Sequence, residues 1–451
     1  MVVGIEMCDE TPHPGECNTL MIEHKPIRST TQFLQVAVER TLDGAVKAKG
    51  DTYSLGPQFG SKQAWEDCMD LYERTIHRLN QSLLCPKNAY SSRWDVQAWL
   101  STALTNLDTC QEEISELGVS SHSLDSITID VINALAINKR RETKWKEFGT
   151  SKVEMKTAPS VVIDEKVDVV VAQDGSGDYK TIQEAVNGIK SNNMMIIGDG
   201  IGKTIITGDK SKGRGFYTFK SATFVAERDG FVGRDMTIRN TAGPEKHQAV
   251  ALRSDSDMSV FYRCSIEGYQ DTLYVHSGRQ FFRECDVYGT VDFIFGNAAA
   301  YFQNCRIYAR SPPNGVNAIV AQSRVNPNQT TGIVIHNSVV RGAPGVQLDG
   351  VKTYLGRPWR PYARTVVMGT FLDQLIEPKG WMDWSNATAR STLYYGEYQN
   401  SGPGSGTDNR VDWPGFHVIS DPEEARQFTL PKFIDAALWL PPTKVPFTIN
   451  L

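Results

Sequence analysis

The chain has 451 residues, a formal net charge of −5, 40% hydrophobic and 22% charged residues. This is the balance of an ordinary globular chain, so wholesale disorder and a collagen-like repeat are excluded. No run approaches the ~18 uninterrupted apolar residues of a membrane-spanning helix, and an acidic chain lacks the basic face that nucleic-acid phosphates require. The charge is uneven. Residues 1–150 carry 15 Lys and Arg against 21 Asp and Glu, and the remainder carries 32 against 31, so the two parts attract weakly.

The start, MVVGIEMCDETPHPGEC, has neither the basic lead nor the apolar core of ~7–15 residues that marks a secretory leader. Cys8 and Cys17 bracket its Pro-containing turn and are placed to close a small loop. Eight cysteines are too few for a scaffold held by disulfides alone. With no C-x-x-C pair and sparse histidine, no zinc site is expected.

Residues 30–140 read as helical. In SKQAWEDCMDLYERTIHRLNQSL the positions Trp65, Cys68, Tyr72, Ile76, Leu79 and Leu83 recur every three or four residues. In WDVQAWLSTALTNLDTCQEEISEL the positions Val96, Trp99, Ala103, Leu107, Cys110, Ile114 and Leu117 do the same. Each is the apolar stripe of an amphipathic helix. The intervening CPKNAYSSRW has loop chemistry, so the two helices should fold back near residue 89. Cys68 and Cys110 each lie 21 residues from that point and should face each other, which suits a disulfide. A helical bundle of about four helices is expected over 1–138.

Residues 139–165 are basic, polar and weakly periodic, and read as a linker. Lys139, Arg140 and Arg141 in it form either a processing site or a solvated helix end. Three N-x-S/T triplets occur, at Asn80, Asn328 and Asn386.

From residue 166 to 451 the pattern becomes short β-rich runs separated by Gly, Asn and Asp. GFVGRDMTIRN, SVFYRCSIEG, RQFFRECDVYG, AYFQNCRIYA and GIVIHNSVVRG share one template, aligned on Asp235, Cys264, Cys285, Cys305 and Asn337. The central steps of 21 and 20 residues between the cysteines predict a solenoid whose coils stack. A parallel β-helix fits better than a β-sandwich, which does not demand equal register between units.

Asp271 and Asp292 are 21 residues apart, one coil by this repeat. Residues one coil apart share a face at ~4.8 Å. Two carboxylates that close cannot both ionise easily, so one is an acid and the other a base or nucleophile. Gln270 and Gln248 offer amide donors to a developing oxyanion, and Arg357 offers a fork to one carboxylate. Trp359, Tyr269 and Phe293 are candidate apolar faces for sugar rings. GDGIGKT at 198–204 is one residue short of a phosphate loop, and no G-x-S-x-G elbow exists. His247 and His276 have no metal-ligand spacing and read as structural.

The blocks HQAVALR, YQDTLYVHS, RQFFREC, GTVDFIFGNA and YLGRPW closely resemble the signature blocks of plant pectin methylesterases, as do AGPEKHQA, TLYYGEYQNSGPGSGT and RVDWPGFHVI. Residues 6–138 resemble the four-helix pectin methylesterase inhibitor domain that precedes the enzyme in many members. The resemblance implies a right-handed parallel β-helix after an all-α domain, and hydrolysis of the methyl esters of homogalacturonan with no cofactor and no metal. It places the nucleophile on Asp292, the proton donor on Asp271 and the transition-state stabiliser on Gln270. Thr218, Gln248, Arg357 and Trp359 match substrate-contacting positions. It also implies a Cys264–Cys285 disulfide, secretion to the cell wall, and an intramolecular inhibitor-like partner in a monomer. A monomer of this kind binds neither nucleic acid nor membrane.

Three departures from the family pattern follow. The strand segment with a G-x-Y-x-E block that normally precedes IIGDG is missing, so one early coil is expected to be absent. No leader is visible, and the basic processing block between the domains is lacking. Beside the esterase stand two alternatives: a β-helix glycosidase or lyase on the same polymer, and a catalytically impaired pectin-binding or inhibitor-like protein. An inverting hydrolase would need carboxylates ~6.5–9.5 Å apart, and a calcium lyase would need an acidic cluster.

Overall fold

The computed structural model describes residues 5–23, 27, 29–56, 61–85, 90–140, 169–188, 194–384 and 389–451. The helical part consists of α1 (Ile5–Cys8), α2 (Pro14–Glu23), α3 (Thr30–Leu55), α4 (Lys62–Leu84), α5 (Tyr90–Glu116) and α6 (His122–Arg140). α3 and α4 start on serine caps, a favourable entry because the hydroxyl satisfies an orphan backbone donor. Ser29 Oγ accepts from the Gln32 N–H at 3.1 Å, and Ser61 Oγ from the Ala64 N–H at 3.1 Å.

α3 to α6 pack as the expected bundle around Leu71, Leu79, Leu100, Leu104, Leu107 and Leu135, all fully buried. The Cys68–Cys110 disulfide joins α4 to α5 with a Cα–Cα distance of 4.9 Å, as the stripe predicted. Cys8–Cys17 closes the α1–α2 hairpin. That hairpin is held to α6 by two reciprocal bonds between His13 and Asn133, at 3.2 and 3.1 Å. α6 runs on through Lys139 and Arg140, and Arg140 pairs with Glu10. The linker expected beyond it lies almost entirely outside the described residues.

The second part is a parallel β-helix. Its strands form three sheets of nine, seven and six strands, and successive neighbours in each come from successive coils. Pairing is parallel and in register: Phe282 lies beside Phe261 on one side and Phe302 on the other. Their rings stack inside the solenoid at 5.0 and 4.5 Å. Each coil therefore repeats the side chain beneath it, which is why the repeat is visible in sequence.

The alignment of that repeat needs one correction. The turn between two sheets is made by a left-handed residue at Asp235, Arg263, Glu284, Asn304 and Asn337, with φ between 48° and 57°. The cysteines follow it. Ser265 pairs with Thr237 and Arg306 with Val339, so the true equivalents of Cys264, Cys285 and Cys305 are Met236 and Ser338. Asp and Asn tolerate the left-handed region, and matching them to the cysteines slipped the outer units by one.

A second correction concerns Cys264 and Cys285, which are free thiols here, as is Cys305. All three are buried. Each sulfur lies instead against a backbone carbonyl of the coil before it: Cys264 Sγ to Gly233 O at 3.5 Å, Cys285 Sγ to Phe261 O at 3.3 Å, Cys305 Sγ to Phe282 O at 3.5 Å.

Strands Met195–Ile197, Ile205–Gly208 and Phe224–Ala226 end the three sheets. Met195, Ile197, Ile205 and Val225 on them are 36–45% exposed among the described residues, and Val186 of the helix Ile182–Gly188 packs on the core at this end. Residues 189–193, where the sequence runs short, lie outside the described residues. Short helices Pro422–Arg426, Leu430–Phe433 and Ala436–Trp439 cover the outer face of the nine-stranded sheet, with Phe428, Leu430, Phe433 and Trp439 packed on Val260, Phe281, Tyr301 and Val334.

Candidate active site

The six-stranded sheet carries the site. Its order is Lys352–Gly356, Val316–Gln322, Val291–Gly296, Leu273–Val275, Leu252–Ser254, Phe224–Ala226. Ile294 pairs with Leu273, so Asp292 and Asp271 occupy the same position of adjacent coils. The Asp271 N–H donates to Val291 O at 3.0 Å. Both aspartates are left-handed, with φ 53° at Asp292 and 60° at Asp271. Such a conformation carries strain that the surrounding structure must hold. Gly289 permits the turn: a Cβ there would lie 2.1 Å from Phe293 Cβ and 2.8 Å from Tyr269 O.

Arg357 follows strand Lys352–Gly356 and grips Asp292 with both arms, Nε to Oδ1 at 2.8 Å and Nη2 to Oδ2 at 2.6 Å. Trp384 covers the guanidinium at 4.1 Å. Burial and then the negative charge of Asp292 hold the Asp271 carboxyl well above the usual carboxylate range. Burial also pushes Asp292 up, against the two hydrogen bonds from Arg357. The arginine thus keeps the single negative charge of the pair on Asp292, and the proton sits on Asp271.

Asp271, Asp292, Gln270, Gln248, Thr218, Arg357 and Trp359 all line one cavity of about 280 Å³. The register places Ala249, rather than Gln248, beside Gln270, and Gln248 Oε1 is buried without a partner among the described residues. Two of the proposed sugar-facing rings are displaced. Phe293 is fully buried in the solenoid core, and Tyr269 lies under Arg310 at 5.0 Å, away from the cavity. Pairing with the next strand skips between Val291 and Ile294, a bulge around Asp292 that turns Phe293 inward. Tyr274, Phe295 and Trp384 line the cavity instead, with Phe295 stacked on Tyr274 at 4.3 Å.

Sequence reasoning missed the other wall. Thr109, Glu112, Glu113 and Glu116 of α5 face the aspartates across the same cavity. Ion pairs fix the two parts together. Arg78 of α4 takes Asp229 with both arms, and Arg74 reaches Glu227 and Asp255. Arg279 bridges Asp257 at 2.7 Å and Asp95 of α5 at 2.8 Å. His276, read as structural, is buried between Asp255 and Thr109, each at 2.9 Å. Among the described residues no group of three or more His, Cys, Asp or Glu is placed to hold a metal, and no helix is long and apolar enough to cross a membrane.

Fold and site together define a β-helix hydrolase with a protonated carboxyl beside an ionised, arginine-held carboxylate, covered by a helical bundle. The Pectinesterase family model matches residues 188–437, and the Plant invertase/pectin methylesterase inhibitor model matches residues 5–137. The chain is 80% identical to "Putative pectinesterase/pectinesterase inhibitor 38" of Arabidopsis thaliana, with all of both chains covered. It is 49% identical to "Pectinesterase 2" of Citrus sinensis, covering 98% of this chain and 94% of that one. "Pectin methylesterase from Carrot" superposes with a TM-score of 0.62 at 48% identity, covering 65% of this chain and all of that one. The chain belongs to the pectinesterase family, with an inhibitor-type domain ahead of the enzyme. The alignment with the Arabidopsis relative spans 478 positions against 451 residues here.

Proposed function

We propose that this carboxylic ester hydrolase removes the methyl groups of homogalacturonan through an acyl-enzyme on Asp292. The carboxylate of Asp292 attacks the ester carbonyl carbon. Amides of Gln270 and Gln248 donate to the oxyanion that forms. Collapse breaks the carbonyl–methoxy bond, and Asp271 gives its proton to the departing methanol. Asp271, now a carboxylate, takes a proton from water, which attacks the acyl carbonyl and restores Asp292 with a free galacturonate carboxyl. The observation that carries this reading is the two-armed grip of Arg357 on Asp292, one coil from a protonated Asp271. Thr218 and Trp359 stand in the same cavity as substrate contacts.

In the chain as it stands, α5 lies over this groove, so the bundle acts as an internal inhibitor and the polymer enters only when the two parts separate. Residues 1–138, 139–165 and 166–451 serve as inhibitor-like domain, linker and enzyme. The polymer lies in the cell wall, so the protein acts there after secretion; it does so as a monomer. The missing coil favours a second reading, an impaired pectin-binding protein. Against it, both catalytic strands keep neighbours on either side. Methanol release from methylated pectin by the enzyme part, separated from the bundle after cleavage in the linker, decides between them: turnover supports the esterase, and none supports the binder.

A further inference from the structure

A buried ion pair stands behind the catalytic pair, and neither of its residues lines the cavity. Arg410 grips Glu397 with both arms, Nε to Oε1 at 2.7 Å and Nη2 to Oε2 at 3.1 Å. Both side chains are only 2% exposed. Taking two charges out of water is costly, and apolar residues of similar volume commonly serve a fold as well. The pair therefore asks for a role beyond stability.

Glu397 Oε1 also accepts the indole N–H of Trp381 at 3.1 Å. Trp381 is fully buried, and its ring stacks on Tyr395 at 4.1 Å. Tyr395 and Glu397 are two apart on strand Tyr394–Tyr398, so both point into the solenoid. From Trp381 the contacts reach the active site through the backbone. Trp381 pairs with Gly356, the residue before Arg357, and the Met382 N–H donates to Gly356 O at 2.9 Å. On its other side Gly356 is pressed against strand Val316–Gln322, where a Cβ on it would lie 2.6 Å from Val320 O. The Arg357 N–H donates to that same oxygen at 2.9 Å. The root of the arginine is thus clamped between Val320 and Trp381. The Tyr395 hydroxyl is buried without a partner among the described residues. Burial and then the charge of Asp292 hold it well above the usual tyrosine range, against Arg357. It therefore stays a neutral dipole in the field of both charges.

We propose that Trp381 and Tyr395, fixed by the Arg410–Glu397 pair, are positioning residues that set the angle at which Arg357 grips Asp292. This rests on the esterase reading above. They keep both arms of the fork on the nucleophile, which favours its ionised form. A loosened fork raises the proton affinity of Asp292, so the acid limb of kcat/KM moves to higher pH.

The test uses the full chain, nicked in its linker and freed of the bundle, with methanol release from methylated pectin followed against pH. Trp381→Phe keeps the stack on Tyr395 and removes the N–H. Tyr395→Phe keeps the ring and removes the hydroxyl, and is the milder change should Trp381→Phe fail to fold. Each should move the acid limb up by about one pH unit, a tenfold change in proton affinity. Each should also lower the plateau kcat about tenfold, because a small misplacement of a catalytic group is costly, with KM within about twofold. Trp413, 6.5 Å from Tyr395 in the same core, is the control. Trp413→Phe should lower the melting temperature and leave the limb in place. An unmoved limb in a folded Trp381→Phe or Tyr395→Phe protein, or an equal shift in Trp413→Phe, would overturn the proposal. Release by wild type with unmoved limbs removes the positioning role alone, and no release by wild type removes the esterase reading and this role with it.

Discussion

Arg357 and Asp292, 65 positions apart in the chain, meet as a fork on a carboxylate, with bonds of 2.8 and 2.6 Å. A lysine in this place would supply charge but not the paired planar geometry. Arg357→Ala should therefore lower kcat/KM by at least ~10²-fold, and Arg357→Lys by less. Near-normal rates for Arg357→Ala would show that the arginine serves only the fold.

The raised pKa of Asp271 fixes the direction of the alkaline limb. The donor works while protonated, so acylation is present below its raised pKa and is lost as pH rises through it. Asp271→Asn should be slow throughout and lack that limb. A pH–rate profile of kcat/KM with the same alkaline limb in Asp271→Asn would remove Asp271 as the donor.

Docking of the bundle should weaken as pH rises. Burial, opposed by Arg360 and aided by Asp108 and Glu116, pushes Glu112 up to about 7. Burial and Asp67, against Lys220 and Arg253, push Glu113 up to about 9. Glu112, packed against Arg360 of the enzyme part, takes up a proton on docking, so the docked state is favoured below the ordinary glutamate pKa of 4.5 and loses affinity from there to about 7, whereas Glu113 is already raised by Asp67 of its own bundle. Dissociation constants of the nicked parts across that range should rise with pH in wild type, and less in Glu112→Gln. A constant or falling value contradicts the sign.

Restoring a coil ahead of Ser191 should cover Met195, Ile197, Ile205 and Val225. Solenoid stability is a sum of neighbouring contacts, so the melting temperature should rise, by roughly 2–4 °C per kcal/mol gained. No rise in a calorimetric scan would mean that this end of the solenoid is already satisfied.

Much of this was legible in the chain. The 21-residue spacing of Asp271 and Asp292 equals the coil because each coil copies the register of the last. The α4 and α5 stripes disclosed the bundle and the Cys68–Cys110 bridge because both cysteines lie on buried faces. Phe293 was misplaced because a bulge at Asp292 breaks the simple alternation. Glu112 and Glu113 were invisible as site residues. Their importance depends on packing against Arg360 and Lys220, far along the chain, and no local period encodes that contact.

The central claim is that Asp292 is the nucleophile. Methanol release from methylated pectin should be measured for the enzyme part separated from the bundle, in wild type and in Asp292→Asn, with circular dichroism confirming the β-helix in both. The account predicts a loss of at least ~10³-fold in the variant, as expected when a covalent catalyst is removed. Turnover within tenfold of wild type in a folded Asp292→Asn protein would contradict it.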